Sequence, residues 1–524
     1  MIRLPENINS WFRFAVGVVL FALAYAVADR FQLTHAVLYR AAANDFGSAL
    51  SNFFWLSVQA MALFAAIILL RGRLLALVFV LMTISIGFNL VYGQILNDII
   101  DAGKLGWLIS EARQAGNAAG EFTGQVGFAL FQTVIAAILL LVARRLVRTS
   151  IQVPQTRRWA IAGLAAAVVP SLIAAPLSLF PAAAERNLYD ELAKIAMAKP
   201  PPPRGAVTLE PQSAAAPRHI VWLVDESIAY RPFAEFIAPQ VKQFDPVSFG
   251  AAASLANCSG SSNFALRAGL DVRNINGQTD LRTTPSIWGF AKVAGYKTYL
   301  LEGQASGAPQ NLLFEPELKL IDQTETFSDG IDTDKAIARW LNKQLKSGGR
   351  SFTYSVLRGV HFQYPDHYPP GAIPANSPKT AHYEAALKHS KTGFFDVLLN
   401  GVDRQNVAIV YTSDHGQNFA PDAIPHCSRE EVADEFSVPL MAFLPGRLAD
   451  QAQAGNSAHS SASQVFPSTL IWMGYDEEAV IARYDNPLGQ GTARSVTFGR
   501  KIIPTVAGEA IELRTWNGFP GTKP

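Results

Sequence analysis

The sequence predicts an amino-terminal domain of five transmembrane helices followed by an α/β domain with a mostly parallel sheet. Three observations carry this expectation. Five apolar stretches crowd the first third of the chain, and a proline run, Lys199–Gly205, then ends that composition. From His219 onward, short apolar runs alternate with longer amphipathic ones, as strands and helices do when wound about a buried sheet.

The five stretches are Phe14–Ala28, Ser48–Leu70, Leu74–Leu96, Phe122–Val142 and Trp159–Phe180. A hydrocarbon core of about 30 Å takes about 20 helical residues, which most of them supply. The first is shorter, and Trp11, Phe12 and a snorkelling Arg13 extend it to the interface. It also reads as a signal peptide cleaved near Ala24-Tyr25-Ala26, but four further spans favour a retained helix. Arginines set the orientation. Arg71 and Arg73 lie between spans two and three, and Arg144, Arg145, Arg148, Arg157 and Arg158 lie between spans four and five. The other two loops mix acids with bases. The positive-inside rule therefore keeps the amino terminus in the cytoplasm and exports everything beyond Phe180, to the periplasm of a bacterial cell whose inner membrane holds the chain. The domains expected are residues 1–182 (transmembrane), 183–217 (connector) and 218–524 (exported and catalytic). A formal net charge of +2 over 524 residues gives no support to a nucleic-acid partner. Both cysteines, Cys258 and Cys427, fall in the exported part, where disulfides persist.

The connector begins with Glu185–Ala198, whose apolar Leu188, Leu192, Ile195 and Ala196 share one helical face, so it is expected to lie along the membrane surface. Polyproline then stiffens the linker through Pro217. Strands are expected at Ile220–Val224, Lys297–Leu301, Leu318–Ile321, Ser351–Val356, Val407–Tyr411 and Leu440–Leu444. Helices are expected at Ser286–Val293, Asp334–Leu345, Tyr383–Leu399 and Gln464–Met473. Parallel sheets bind ligands beyond the carboxyl ends of their strands, so the residues there matter most.

Those ends are unusually polar. "HIVWLVDES" finishes in Asp225-Glu226-Ser227, which fits a ligand site or, equally, a solvated turn or helix cap. "VAIVYTSDHG" runs a core strand straight into Asp414 and His415. "NCSGSSNFALRAGL" turns from small polar residues to helical periodicity. Ser262 or Asn263 at the helix start would be an ordinary cap, or a nucleophile favoured by free backbone N–H groups and the helix dipole. "SVLRGVHFQYPDHYPP" holds His361 and His367, and His426 follows His415 by eleven residues. Singly, each histidine is an ordinary loop residue. Together, a Glu, an Asp, a His and a hydroxyl make a mixed oxygen and nitrogen set suited to Zn²⁺, with Mn²⁺ as the second choice.

At these residues the chain resembles the membrane phosphoethanolamine transferases of the alkaline-phosphatase-like superfamily, whose members join five spans to a sulfatase-like domain. Asp225-Glu226-Ser227 is similar to that family's G-E-T, which makes Glu226 the first metal ligand. Cys258-Ser259-Gly260-Ser261-Ser262 is similar to its C-G-T-x-T segment, and counting from the cysteine puts the nucleophile, also a ligand, at Ser262, with Ser261 one register away. Ser413-Asp414-His415-Gly416 repeats its S-D-H-G and supplies the ligands Asp414 and His415. Gly359-Val360-His361 and His426 resemble its phosphate-binding segments. Leu301-Glu302-Gly303-Gln304 faintly echoes its W-x-D-N, which would bring Gln304 to the substrate. Asp225 stands where the family has glycine and is expected to add a carboxylate near the metal.

The resemblance implies transfer of phosphoethanolamine from phosphatidylethanolamine to a membrane glycolipid or glycan acceptor, lipid A among them, through a seryl ester beside zinc. Phosphoglycerol transfer on the same fold is the alternative. A formylglycine sulfatase needs C-x-P-x-R, and Ser-Gly-Ser-Ser follows Cys258. An inactive lipid-binding scaffold is disfavoured because every catalytic role has a candidate residue. If Ser262 and His426 face one metal, Cys258 and Cys427 come within disulfide reach, and a Cys258–Cys427 bridge is expected.

Overall fold

The computed structural model describes residues 7–42, 44–110, 122–151, 156–177, 181–197, 200–212, 216–269, 281–304, 311–361, 363–420, 425–427, 432–454 and 459–496. The chain divides into two compact units, Met1–Ala198 and Lys199–Pro524.

In the first unit the long helices are α1 (Ile8–Ala28), α2 (Phe46–Leu69), α3 (Gly72–Leu96), α4 (Ala102–Ser110), α5 (Thr123–Ser150), α6 (Arg157–Leu177) and α7 (Ala184–Met197). Four of them, α1, α2, α3 and α5, are long and apolar enough to cross a membrane. The fifth expected span is helical over Arg157–Leu177, and residues 178–180 lie outside the described ones. Phe21, Leu56, Leu63, Ile86 and Leu140 pack inward, while Leu50, Phe54, Leu77, Phe131 and Val134 stand exposed. That outward apolar surface is a liability in water and an asset in lipid. Helices α1 and α5 approach closely at Gly17, where an added Cβ would come 2.7 Å from Val147. Arg144, in the last turns of α5, donates to the carbonyls of Ile67 and Leu70 at 2.7 and 3.0 Å, closing the carboxyl end of α2.

Helix α7 packs its polar side into the helical unit. Its polar residues Glu185, Arg186, Asn187, Asp190 and Glu191 are the buried ones, whereas Leu192 is 38% exposed. It packs on α3, α4 and α6. The reason is a set of buried polar partners that the apolar periodicity of α7 does not reveal: Ser85 and Asn89 on α3, and Asp29 after α1, each bond residues of its first turn.

The second unit is an eight-stranded sheet in the order β4-β3-β5-β1-β6-β7-β2-β8. Its strands are β1 (His219–Asp225), β2 (Val247–Ala253), β3 (Lys297–Glu302), β4 (Gln323–Thr326), β5 (Ser351–Val356), β6 (Val407–Ser413), β7 (Ser437–Phe443) and β8 (Ser460–Ser461). Strands β4, β3, β5, β1 and β6 run parallel, and β7 is antiparallel to both β6 and β2. Alternate residues of β1 serve opposite cores: Ile220, Trp222 and Val224 on one face, Val221 and Leu223 on the other. Helices cover both faces, among them α8 (Ser259–Ala268), α9 (Ile287–Val293), α10 (Thr333–Leu345), α11 (Lys379–Lys391), α12 (Phe394–Leu399) and α13 (Val465–Trp472).

Three expectations about elements need correction. Leu318 ends a short helix, Glu315–Leu318, and the edge strand is instead the polar β4. An edge strand exposed along one side needs no apolar run. The single helix expected at Tyr383–Leu399 is two, broken at Gly393, whose φ of +73° no continuing helix adopts. Strands β2 and β8 were not expected, because Val247–Ala253 is mostly small residues.

Candidate active site

Parallel register between β1 and β6 pairs Asp225 with Ser413, so the next residues of the two strands, Glu226 and Asp414, emerge side by side. Backbone and side chains then stitch the two ends together. Asp414 N donates to Asp225 O at 2.9 Å, Ile228 N to Ser413 Oγ at 2.8 Å, and Ser227 N to Asp414 Oδ1 at 3.1 Å. Ser227 takes a left-handed φ of +63°, which turns the chain sharply after Glu226. Gly416 is required next: a Cβ there would lie 2.0 Å from Asp434 O.

One ligand atom from each of Glu226, Asp414 and His415 falls within 4.8 Å of the others, and all three residues are buried. His415 Nδ1 lies 2.8 Å from Gly416 O, which places the ring proton on Nδ1 and leaves Nε2 as a lone-pair donor. That Nε2 faces Glu226 Oε1 at 3.3 Å and Asp414 Oδ2 at 3.6 Å. Two buried carboxylates and an imidazole lone pair at one point fit a divalent cation of the Zn²⁺ type. Without one, burial and the neighbouring Glu226 push Asp414 up to about 8. Burial alone would lower His415, but Asp414 and Glu226 carry it up to about 9. These are groups that need either protons or a cation.

The hydroxyl facing this cluster belongs to Ser259. Its Oγ lies 3.0 Å from His415 Nε2 and 3.2 Å from Glu226 Oε1, in the first position of α8. Ser262, the expected nucleophile, sits one turn further along, its N–H bonded to Cys258 O. Among the described residues, neither Ser261 nor Ser262 makes a side-chain hydrogen bond to Glu226, Asp414 or His415. The physical reason is that α8 starts directly after Cys258, so the serine at its amino terminus, where backbone N–H groups are free, is the first of the three. Asn263 completes the helix start, donating to Ser259 O at 2.9 Å and reaching Asp414 Oδ2 at 3.5 Å.

The remaining expected residues gather nearby. The His426 ring stacks on His415 at 4.5 Å between centroids and lies 5.6 Å from that of His361. Burial, with His415 and His361 beside it, holds His426 well below the ordinary histidine range, so it is neutral near pH 7. Gln304 donates to Glu226 Oε2 at 2.7 Å and to Leu357 O at 3.0 Å, so its amide orients that carboxylate. His367 is set apart: buried, and lowered to about 3 by burial and Arg358, it pins Gly359 O at 2.9 Å. Cys258 and Cys427 form a disulfide with Cα atoms 4.8 Å apart, tying the start of α8 to the segment carrying His426.

Asp225 corrects a further expectation. Its carboxylate turns away from the cluster: Oδ2 accepts from Tyr411 at 2.6 Å and pairs with Lys391 Nζ at 2.7 Å, and Lys391 reaches Asp334 Oδ2 at 2.8 Å. Asp334 in turn accepts from Arg358 N at 2.7 Å and Gly359 N at 3.2 Å, which shapes the loop leading to His361. Gly359, at φ +59°, fits because a Cβ would meet Glu226 O at 2.3 Å. Sequence reading missed this network because Lys391 and Asp334 look like ordinary polar positions of helices. Lys391→Met strands two buried carboxylates and should destabilise the protein by roughly 3–5 kcal/mol. Adding Asp225→Asn should recover part of that loss. Thermal melts of the full chain in detergent check both, and equal melting of wild type and Lys391→Met would refute the network's role.

Comparison with known proteins agrees with this architecture. Residues 237–475 match the sulfatase family model. The second unit thus has a sulfatase-like α/β fold. Over its length, the chain has the fold of the integral membrane protein lipooligosaccharide phosphoethanolamine transferase A from Neisseria meningitidis: 12% identity, TM-score 0.53, 88% of this chain and 96% of that one. The C-terminal periplasmic domain of EcEptC from Escherichia coli aligns over 61% of this chain and 98% of its own, at 17% identity and TM-score 0.46. The lipoteichoic acid synthase LtaP from Listeria monocytogenes aligns over 56% and 82%, at 11% identity and TM-score 0.37. No curated protein matches by sequence.

Proposed function

We propose that the chain is an inner-membrane enzyme that moves phosphoethanolamine from phosphatidylethanolamine to a membrane glycolipid or glycan, with its second unit in the periplasm. The observation that carries this is the hydroxyl of Ser259 set against Glu226 and His415 on a chain whose apolar helices hold it at a bilayer. A lipid donor and a membrane-bound acceptor both call for a site tethered there. The motif resemblance to phosphoethanolamine transferases, and the fold shared with one of them along the chain, support phosphoethanolamine as the group transferred.

Glu226, Asp414 and His415, with Ser259, would hold the metal. Bound there, Zn²⁺ lowers the pKa of a ligating hydroxyl and withdraws charge from a phosphoryl oxygen. The chain supplies the rest. Ser259 Oγ forms a bond to phosphorus as the bond to the diacylglycerol oxygen breaks, and the serine proton ends on that leaving oxygen. His361 and His426 flank the cluster and are placed to hold phosphoryl oxygens and relay the proton. In the second half an acceptor hydroxyl attacks the phosphoserine, loses its proton to the same histidines, and Ser259 is released protonated. Gln304 keeps Glu226 oriented, and the Cys258–Cys427 bridge keeps the serine and His426 on one site.

Mass spectrometry of envelope glycolipids from cells with and without the protein tests the reading. An added phosphoethanolamine, with diacylglycerol formed from phosphatidylethanolamine, is the expected result. An added phosphoglycerol would replace the donor assignment, and unchanged envelopes together with no diacylglycerol release would reject it.

A further inference from the structure

Asn263 lies buried inside α8, where the helix itself gives little reason for an asparagine. It is the fifth residue of the helix, past the positions at which asparagine caps one, and it is 1% exposed. Asparagine is a poor helix former because its amide competes with the backbone for hydrogen bonds. Burial also strips that amide of water, a loss that only good partners offset.

The partners it finds belong to the site. Nδ2 donates to Ser259 O at 2.9 Å and reaches Asp414 Oδ2 at 3.5 Å, and Oδ1 accepts from the Tyr354 hydroxyl. Asp414 Oδ1 already accepts from Ser227 N at 3.1 Å and His415 N at 2.8 Å. Oδ2, 3.6 Å from His415 Nε2, is therefore the oxygen left to face a cation. One amide thus spans the cation-facing atom of Asp414 and the main chain of Ser259. Tyr354, on β5, is buried with its ring 5.7 Å from that of Trp222 and 5.5 Å from that of Trp288, which fixes its hydroxyl. A donor aimed at Oδ1 and two acceptors aimed at Nδ2 admit one amide orientation. The flipped amide would set its oxygen against Ser259 O and Asp414 Oδ2.

We propose that Asn263 is a positioning residue: it holds Asp414 Oδ2 and the Ser259 main chain in the arrangement that binds the metal and presents the hydroxyl, and Tyr354 orients it. Groups that orient metal ligands from behind are typically worth about 10- to 100-fold in metal affinity or activity. Asn263 acts through Asp414 and Ser259, so its effect falls on zinc affinity and kcat and spares KM. The catalytic half of the proposal rests on the transferase reading; the metal half rests on the cluster alone.

The test uses the full chain in detergent, stripped of metal. Zinc affinity is measured by competition with a chromogenic chelator, and transfer is measured at saturating zinc. Asn263→Leu keeps the volume and removes every polar contact. Zinc should bind about 10- to 100-fold more weakly, and kcat should fall about tenfold or more, while KM for phosphatidylethanolamine moves by less than about threefold. Tyr354→Phe deletes one oxygen and should weaken zinc binding by roughly threefold to tenfold, which decides the matter if Asn263→Leu does not fold. Because Tyr354 acts through Asn263, the double variant should be no weaker than Asn263→Leu alone; additive losses would remove Tyr354 from the proposal. A merely structural role would lower the melting temperature and leave zinc affinity and kcat of the folded variants at wild-type values. That result would overturn the proposal, as would a wild type that binds no zinc. Zinc binding without phosphoethanolamine transfer sinks the transferase reading, and the affinity shift still decides Asn263. Transfer by variants of unshifted affinity and kcat sinks this proposal alone.

Discussion

Ser259→Ala should reduce phosphoethanolamine transfer by roughly 10⁴-fold or more, the scale of loss when a nucleophile that works as a unit with its activators is removed. The change deletes one small hydroxyl at the start of α8, which among the described residues bonds Glu226 and His415, so the fold should survive. Ser262→Ala is the informative contrast. Its side chain makes no hydrogen bond to the ligand cluster, and transfer should fall by less than about tenfold. Intact-mass and peptide analysis of protein quenched during turnover should find the phosphoethanolamine ester on Ser259. An ester on Ser262, with Ser259→Ala still active, would restore the register counted from Cys258 and reject the one built from geometry.

The second large effect concerns the metal. Glu226→Ala and Asp414→Ala each remove a carboxylate from a cluster that offers only two, and the remaining donors cannot close a four-coordinate shell. Bound zinc, measured by elemental analysis after dialysis, should drop to background in both, and transfer should drop with it. His415→Ala should do the same, because His415 Nε2 is the lone nitrogen of the set. Asp225→Ala should behave differently, since its carboxylate is engaged by Lys391 and Tyr411: stability should suffer while zinc stays bound. Retention of stoichiometric zinc by Glu226→Ala or Asp414→Ala would remove them from the site.

How much of this was legible in the residues follows from the range over which each feature is encoded. Apolar runs, their arginine-rich ends and the buried strands β1, β5 and β6 are local composition and periodicity, so they read directly from the chain. Glu226, Asp414 and His415 stood out for the same reason: acids and an imidazole at the end of a core strand have little structural use. The pairing of Cys258 with Cys427 came from placing both beside candidate site residues rather than from spacing.

Other features depend on what meets what in three dimensions. Whether Ser259 or Ser262 faces Glu226 and His415 turns on the residue at which α8 begins, and three serines within four positions look alike in one dimension. Asp225 looked like a metal neighbour because it adjoins Glu226. Its orientation was decided by Lys391, 166 positions away, since a buried ammonium draws the carboxylate toward itself. Likewise α7 carries an apolar face suited to a membrane surface, yet it buries Glu185, Arg186 and Asn187, because Asp29, Ser85 and Asn89 present buried hydrogen-bonding groups that only the folded bundle brings within reach. Local periodicity determines which segments become helices and strands. Long-range desolvation and hydrogen bonding decide which of their polar groups face one another, and the chemistry follows from that choice.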